Sequence, residues 1–269
     1  MYQDLKNKVA VVTGGSKGIG NAIVKRFGQE QMSVVINYNG DQESAQKAAV
    51  DVKVSGGKAV VVKADVATEE GNAAILKATL DNFGDLDIWV NNAGMEIKKP
   101  THEVSLADWN KVISVNQTGV FLGSKIAINY FKSHRKPGNI INMSSVHEKI
   151  PWPTFASYAS AKGGVKLFTE TIAMEYAKEG IRVNAIGPGA INTPINAKKF
   201  ADKQQYDQTV SMVPMNRIGK PEEVRCRSSL VSFQRIKLCH RDHVIYRWRD
   251  DFVSGIYRWQ RIAGYNTVV

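Results

Sequence analysis

Six short apolar runs, separated by longer amphipathic stretches, constrain the fold of this chain more than any other feature. We predict strands at residues 8–12, 33–37, 59–63, 86–90, 139–143 and 181–186. We predict helices between them at residues 18–27, 42–55, 69–83, 105–131 and 158–176. Continuous apolar strands that alternate with helices are typical of a parallel sheet covered on both faces. The chain is therefore predicted to be an α/β protein with a doubly wound parallel sheet.

A glycine-rich turn lies between the first predicted strand and the first predicted helix. In a Rossmann-type sheet, ligands bind at the carboxyl ends of the strands, where this turn lies. Its Gly-x-x-x-Gly-x-Gly spacing lets the backbone approach a pyrophosphate at the helix N-terminus. We predict that the turn binds a dinucleotide through Gly14, Ser16, Lys17, Gly18, Ile19 and Gly20.

The end of the second strand indicates which dinucleotide is bound. An acidic residue there would bind the ribose 2′-hydroxyl of NAD, but the chain has Asn37-Tyr38-Asn39. Lys17, inside the glycine turn, could reach a 2′-phosphate. The prediction is NADP or NAD, with NADP favoured; the alternative for Lys17 is an ordinary solvated lysine.

Further cofactor contacts are predicted at the ends of the second, third and fourth strands. Asp65 is placed beside the adenine, with a helix cap as its alternative role. Small residues after the fourth strand let the chain pass close to the cofactor. The predicted contacts are Asn37, Asp65, Val66, Asn92, Ala93 and Gly94.

Tyr158, Lys162 and Ser145 are the candidate catalytic residues. Tyr158 and Lys162 are four residues apart, so on a helix their side chains are adjacent. A lysine ammonium favours a phenolate and lowers the tyrosine pKa from about 10. The Ser145 hydroxyl can hold a carbon-bound oxygen against the tyrosine, an arrangement that suits proton transfer. Asn116 lies inside an apolar helix and needs a hydrogen-bond partner; it could be a satisfied core residue.

These motifs, with Pro188-Gly189, together resemble the short-chain dehydrogenase/reductase family over residues 8–224. The resemblance implies that Tyr158 is the general acid/base, that Ser145 holds the reacting oxygen and that Lys162 binds the nicotinamide ribose. It implies that Asn116 anchors a water in the proton relay. The residues that it places beside the nicotinamide are Pro188, Gly189, Ile191 and Thr193.

Residues 91–96, 142–153 and 187–197 resemble the bacterial glucose 1-dehydrogenases of that family. This likeness implies hydride transfer from C1 of β-D-glucose to NAD(P), giving gluconolactone. Glu96 and His147, together with Ser145 and Tyr158, would then contact sugar hydroxyls; a solvated acid and a capping histidine are the alternatives. The other functions considered are a 3-oxoacyl-carrier-protein reductase and an inactive cofactor-binding scaffold. No metal site is predicted.

Residues 225–269 differ in composition from the rest of the chain. Residues 1–224 contain four arginines, whereas residues 225–269 contain eight, together with both cysteines and no glutamate. We predict one catalytic domain over residues 1–224 and an atypical basic tail. Codons for Trp248, Arg249 and Asp250 can encode Gly-Gly in a shifted frame, which matches the family ending. We interpret the tail as an out-of-frame replacement of the last helix and strand, so this strand is expected to be lost or altered.

The tail also bears on the partners of the protein. Arginines interleaved with aromatic residues can bind nucleic acid, but we do not expect this, because out-of-frame translation produces such a composition. A homotetramer is expected for an in-frame chain. With no signal peptide and no apolar run of about 18 residues, we expect a cytoplasmic location and no membrane partner.

Overall fold

One parallel sheet forms the centre of the protein in the computed structural model, which describes residues 3–224 and 243–245. Its strands are β1 (Val9–Val12), β2 (Ser33–Tyr38), β3 (Lys58–Lys63), β4 (Ile88–Asn91), β5 (Gly138–Met143), β6 (Ile181–Gly187) and β7 (His243–Ile245). Their order in the sheet is β3-β2-β1-β4-β5-β6-β7. The chain thus builds outward from β1 to β3 and then returns to the other side of β1. Ligands bind where the order reverses, at the carboxyl ends of β1 and β4.

Helices cover both faces of this sheet. They are α1 (Gly18–Gln29), α2 (Gln42–Val54), α3 (Glu69–Phe83), α4 (Leu106–Ile113), α5 (Gly119–Ser133), α6 (Ala156–Glu175), α7 (Ala197–Ala201) and α8 (Lys203–Ser211). Side-chain oxygens accept backbone N–H bonds at the starts of α2, α3, α4 and α8, which satisfies donors that have no partner within the helix. No helix in the described ranges is both long and apolar enough to cross a membrane.

The apolar core lies on both faces of the sheet, as a doubly wound fold requires. Ala10 and Val12 of β1 pack into the cluster that includes Ile23 and Phe27 of α1. Val11, which points to the other face, packs into a second cluster with Trp89. Because adjacent residues of one strand are buried on opposite sides, these strands read as continuous apolar runs. The predicted α/β fold is confirmed.

A buried polar network joins the middle strands to the helices that carry the site. The Asn91 side chain at the end of β4 donates to Asn142 Oδ1 of β5 (2.9 Å) and to Ser124 Oγ of α5 (3.0 Å). Asn142 in turn donates to Thr169 Oγ1 of α6 at 2.9 Å. Since each amide lies in a low-dielectric core, these bonds fix the relative positions of β4, β5 and α6.

Three parts of the fold differ from the sequence predictions: the α4–α5 segment, the helices α7 and α8, and the strand β7. The single helix predicted at 105–131 is α4 and α5 joined by a π-helical turn, Ser114–Thr118. Helices α7 and α8 were not predicted, because α8 has few apolar residues to reveal a period. The edge strand β7 is present over three residues beside β6, with Ala185 opposite His243. The other tail residues, and the shifted-frame hypothesis for them, lie outside the described ranges.

Candidate active site

A cavity of about 610 Å³ opens at the carboxyl ends of the strands and brings together nearly all the predicted site residues. Those that line it are Gly14, Lys17, Gly18, Ile19, Gly20, Asn37, Asp65, Val66, Asn92, Ala93, Gly94, Glu96, Ser145, His147, Tyr158, Lys162, Pro188, Gly189, Ile191 and Thr193. Two predicted residues, Ser16 and Asn116, do not line it. The cavity thus joins the predicted cofactor, catalytic and substrate residues in one space.

The glycine turn packs so tightly that side chains are excluded at several positions. Gly14 has φ of +60° and Gly18 has φ of +54°, the left-handed region that favours glycine. A Cβ on Gly20 would lie 2.4 Å from the Gly14 carbonyl oxygen, and one on Gly14 would lie 2.9 Å from Ala93 Cα. The turn therefore keeps its shape only with glycine at these sites, which leaves its backbone open to the cavity.

Hydrogen bonds lock the glycine turn to the loop after β4. Thr13 Oγ1 accepts from the backbone N–H of Asn92 (2.9 Å) and of Ala93 (3.0 Å). Asn92 Nδ2 donates to the carbonyls of Thr13 (2.9 Å) and Gly14 (3.1 Å). Asn92 and Ala93 thus belong to the same rigid wall as the glycine turn.

Asn37 and Asp65 border the same end of the cavity in different ways. The Asn37 side chain is buried, accepts from Gly14 N at 3.3 Å and donates to the Ala64 carbonyl at 3.0 Å, so it supports the turn. Asp65 Oδ1 accepts from Ala67 N at 2.9 Å. The cap of α3 is Thr68, not Asp65. The alternative role predicted for Asp65 is therefore wrong.

Lys17 forms an ion pair with Asp41, a residue that the sequence analysis missed. Asp41 follows β2 and caps α2, where Ser44 N donates to its carboxylate at 2.9 Å. The hydrogen bond from Lys17, followed by those from Ser44, lowers the pKa of Asp41 to about 2. An acidic residue is thus present near the end of β2, two positions beyond the Asn37-Tyr38-Asn39 segment in which the sequence analysis sought one.

Ser145 and Tyr158 form the reactive pair of the cavity. Ser145 is buried directly after β5, and its Oγ accepts from His147 N at 3.2 Å. Tyr158 lies in the first turns of α6, near the N-terminal end of that helix. Burial raises the pKa of Tyr158 to about 12, while the hydrogen bond with Ser145 lowers it. The predicted lowering of this pKa is therefore not found, because burial of the phenol outweighs the groups that favour the phenolate.

Lys162 is a buried cation beside Tyr158. Its Nζ lies 5.6 Å from the centre of the tyrosine ring and donates to the Met143 carbonyl at 2.6 Å. Burial lowers the pKa of Lys162 to about 8, and the Glu148 carboxylate opposes that change. Glu148 is a second residue that the sequence analysis missed; it also accepts from Ser144 Oγ at 2.6 Å.

Asn116 is fully buried in the π-helical turn and fixes the loop above it. Its Oδ1 accepts from Met95 N at 2.8 Å, and its Nδ2 donates to the Met95 carbonyl at 2.7 Å. Both ends of the amide are therefore engaged by the backbone. The side chain is a satisfied core asparagine, which was the alternative given for it, and it is placed to position the loop from Asn92 to Glu96.

His147 sits among aromatic rings between Tyr158 and the cavity mouth. Its ring centre lies 6.2 Å from that of Tyr158, 5.0 Å from that of Phe155 and 6.0 Å from that of Trp152. Burial lowers the pKa of His147, so the ring is neutral at pH 7. Nδ1 lies 2.9 Å from the Ile150 carbonyl oxygen, which can only accept. Nδ1 therefore carries the proton, and Nε2 is left as an acceptor.

Charged and aromatic groups surround the cavity mouth. Glu96 accepts from Lys98 at 2.6 Å, and Lys98 lies over the Phe155 ring at 5.3 Å. Lys199 lies over the Trp152 ring at 5.4 Å. Burial, followed by the charge of Lys98, lowers the pKa of Lys199. Sequence patterns could not reveal the two contacts of lysines with aromatic rings, since their members come from separate loops and from α7.

The lining of the cavity fits a nicotinamide dinucleotide. Glycines at positions 14, 18 and 20 leave backbone where a Cβ would intrude, and the turn opens directly into α1. A Cβ on Gly18 would lie 3.4 Å from the Thr193 side chain, so these two lining residues are in contact. A helix N-terminus and a glycine backbone are the groups that bind a pyrophosphate.

Family comparison agrees with this geometry. The model of the short chain dehydrogenase family matches residues 8–204. The chain therefore belongs to this family of oxidoreductases, which act on alcohol groups. The predicted cofactor class, NAD or NADP, is confirmed by this membership.

Particular relatives differ in substrate. The chain is similar to 3beta-hydroxysteroid dehydrogenase 1 of Eggerthella lenta, with 52% identity over 224 residues, 83% of this chain and 86% of the relative. It is also similar to glucose 1-dehydrogenase 2 of Bacillus subtilis, with 49% identity over 225 residues, 83% of this chain and 87% of the relative. A solved structure from Beutenbergia cavernae, a candidate NAD(P)-dependent gluconate 5-dehydrogenase with NADP bound at low occupancy, has a TM-score of 0.82 and 28% identity. That match covers 90% of this chain and 94% of the other.

Proposed function

We propose that the protein oxidises the C1 hydroxyl of β-D-glucose with NADP or NAD, giving gluconolactone. The observation that carries the proposal is the neutral His147 beside Tyr158, with Nε2 left as an acceptor. A sugar presents hydroxyl donors in fixed directions, and such an acceptor binds one of them. Glu96, which lines the cavity and is paired with Lys98, adds a second acceptor, and Trp152 offers an aromatic face to the sugar carbons.

The proton leaves the sugar through Tyr158. Ser145 and Tyr158 hold the C1 oxygen, and the tyrosine oxygen takes the hydroxyl proton as the C1–H bond breaks with its electron pair. Lys162, a cation at neutral pH, stabilises the negative charge on the phenolate. Asn116 holds the loop that carries Met95 and Glu96. Because Tyr158 must first lose its own proton, turnover should rise with pH.

Bound NAD(P)+ supplies the two-electron acceptor for the hydride from C1. We propose that the glycine turn, including Ser16, and Asn92 to Gly94 hold the pyrophosphate and riboses. Asp65 and Val66 would border the adenine. Pro188, Gly189, Ile191 and Thr193 would flank the nicotinamide. We favour NADP over NAD because Lys17 lies at the cavity edge.

A second candidate function is oxidation of a 3β-hydroxysteroid. The relative from Eggerthella lenta carries that name, and apolar side chains cover much of the substrate side of the cavity. They are Ile150, Trp152, Phe155, Ile195, Phe200, Met212 and Val213. A 3-oxoacyl-carrier-protein reductase and an inactive scaffold are further alternatives.

We also propose that residues 225–269 are an out-of-frame replacement of the last helix and strand of this domain. The change in composition at Arg225 supports this proposal. The matches to the two relatives also span 224 and 225 residues, about the length of the segment 1–224. Sequencing the gene tests it: the absence of an open shifted frame near codon 225 would reject it.

A homotetramer is proposed for the in-frame chain. Phe121 on α5 and Leu167 and Met174 on α6 are exposed apolar side chains, the kind that subunit interfaces cover. Light scattering on the chain and on a frame-corrected version tests this, and a monomer in both would contradict it.

The function is tested by measuring reduction of NADP and NAD with D-glucose, in this chain and in a frame-corrected one. We expect glucose-dependent reduction in both, faster with the corrected chain. Turnover of a 3β-hydroxysteroid alone would favour the second candidate. NADPH oxidation by acetoacetyl thioesters without glucose activity would favour the acyl reductase, and cofactor binding without any turnover would favour the scaffold.

The His147→Leu variant distinguishes the two candidate functions, oxidation of glucose and oxidation of a 3β-hydroxysteroid. Loss of the Nε2 acceptor should raise KM for glucose about tenfold, since a polar substrate group is left unpaired. KM for a 3β-hydroxysteroid should change less than about threefold, because an apolar ligand makes no such bond. His147→Gln keeps a polar group and should restore part of the glucose affinity. An unchanged KM for glucose in His147→Leu would contradict the role given to His147.

A further inference from the structure

Lys17 and Asp41 link the two structural units that border the adenosine end of the cavity. Lys17 is the residue before α1 and lines the cavity, and Asp41 is the residue before α2. Their ion pair joins the glycine turn to the segment after β2. In this fold the ribose 2′ position of a dinucleotide lies between these two segments.

The two partners differ in how firmly they are held. Asp41 is fixed by two bonds from Ser44, from its N–H to Oδ1 and from its Oγ to Oδ2, each 2.9 Å. The Lys17 side chain is half exposed, and its ammonium pairs with the Asp41 carboxylate. Since lysine is a long and flexible cation, it can turn away from Asp41, whereas Asp41 stays at the start of α2.

We propose that Asp41 competes with the 2′-phosphate of NADP for Lys17. Asp41 thereby weakens the binding of NADP but not of NAD, and so reduces the preference of the protein for NADP over NAD. The inference rests on the nicotinamide cofactor and not on glucose as substrate.

Charge explains why Asp41 acts on NADP in particular. As a pair, Lys17 and Asp41 present almost no net charge to a ligand. To bind a 2′-phosphate, Lys17 must leave a carboxylate, and that carboxylate then repels the phosphate. NAD has no 2′-phosphate, so neither the competition for Lys17 nor the repulsion by Asp41 acts on it.

The test measures dissociation constants of NADP+, NAD+ and 2′,5′-ADP by calorimetry for the full chain and for Asp41→Asn. Asparagine caps helices as well as aspartate does, so the variant should fold. We expect NADP+ and 2′,5′-ADP to bind about threefold to tenfold more tightly, the scale of one partly exposed ion pair. NAD+ should change less than about twofold. Asp41→Ser, another favourable cap, should give the same shift and guards against an effect specific to asparagine.

A matched control is present on the same two helices. Lys25 of α1 pairs with Asp51 of α2 at 2.9 Å with similar exposure, and neither residue lines the cavity. Asp51→Asn removes the same charge and should leave all three dissociation constants unchanged. Equal gains in Asp51→Asn, or an unchanged ratio of NADP+ to NAD+ affinity in Asp41→Asn, would overturn the inference. If neither dinucleotide binds any form of the chain, the cofactor assignment fails with it.

Discussion

The dinucleotide end of the cavity is formed by tightly packed backbone, whereas the substrate end is formed by ionisable side chains. At the dinucleotide end, the side chains of Thr13 and Asn92 bond the backbone of the glycine turn and of the Asn92 loop together, with no space for a Cβ at Gly14 or Gly20. At the substrate end, Lys162 is buried and Tyr158 and His147 are half-buried, and burial displaces the pKa values of all three.

The two ends should therefore be sensitive to different changes: the glycine turn to added atoms, and the substrate end to changes of charge and proton position. The glycine turn of the dinucleotide end depends on shape, so one added methyl group should damage it while a change of pH should not. The substrate end depends on charge and proton positions, so isosteric changes should disable it with little loss of structure. The following variants test this contrast.

Tyr158→Phe should have the largest effect. Removal of the hydroxyl eliminates the proton acceptor and should lower kcat about 10³- to 10⁴-fold, as measured by NADPH formation. Affinity for NADP+ should stay within about twofold, because the ring remains. Tyr130→Phe is the control: its pKa is also raised to about 12, but its hydroxyl donates to Asp85 at 2.9 Å outside the cavity. It should retain full turnover, and equal losses in both variants would contradict the assignment.

Lys162→Met should lower kcat and raise the free energy of unfolding. In the unfolded chain the lysine pKa is 10.5, and in the folded chain burial lowers it to about 8. The folded state therefore binds fewer protons between these values, and the free energy of unfolding should rise as pH increases from about 8 to 10.5. Lys162→Met should abolish that slope, add roughly 1–3 kcal/mol of stability at pH 7 and lower kcat about 10²-fold. Denaturant melts at several pH values measure this, and a less stable variant would contradict it.

Gly20→Ala should damage the dinucleotide end. The new Cβ would meet the Gly14 carbonyl oxygen at 2.4 Å and Asn92 Nδ2 at 2.5 Å, so the turn must shift. We expect a loss of about 1–3 kcal/mol in unfolding free energy and about tenfold weaker NADP+ binding at every pH. Gly163→Ala in α6 meets no heavy atom of the described residues within 4 Å and should stabilise the protein by about 0.5–1 kcal/mol. Similar melting curves for the two variants would refute the close packing of the turn.

Glu148→Gln should have the smallest effect. The Glu148 carboxylate raises the pKa of Lys162, so its removal should lower that pKa further. The limb of the kcat/KM pH profile that reports Lys162 should move down by about 0.5–1 pH unit. Glu179→Gln removes an exposed acid that pairs with Lys132 at 3.1 Å and should leave the profile in place. A profile that moves up in Glu148→Gln would show that Glu148 does not act on Lys162.

Sequence patterns predicted the features that depend on local periodicity and failed where contacts come from distant segments. The strands and the glycine turn are local, and both are found as predicted. The π-helical turn at Asn116 was not predicted, because it depends on Met95, which lies 21 residues away. Asp41 was missed because its role arises only when α1 and α2 pack together. The raised pKa of Tyr158 was missed because the spacing to Lys162 indicates proximity but says nothing about burial.

The central claim is that hydride leaves C1 of glucose within this cavity. The most direct measurement is mass spectrometry of the NADPH formed when the chain oxidises D-glucose that carries deuterium at C1. We expect one deuterium in the reduced cofactor and a slower rate than with unlabelled glucose. Unlabelled NADPH, or no glucose-dependent reduction of either cofactor, would contradict it.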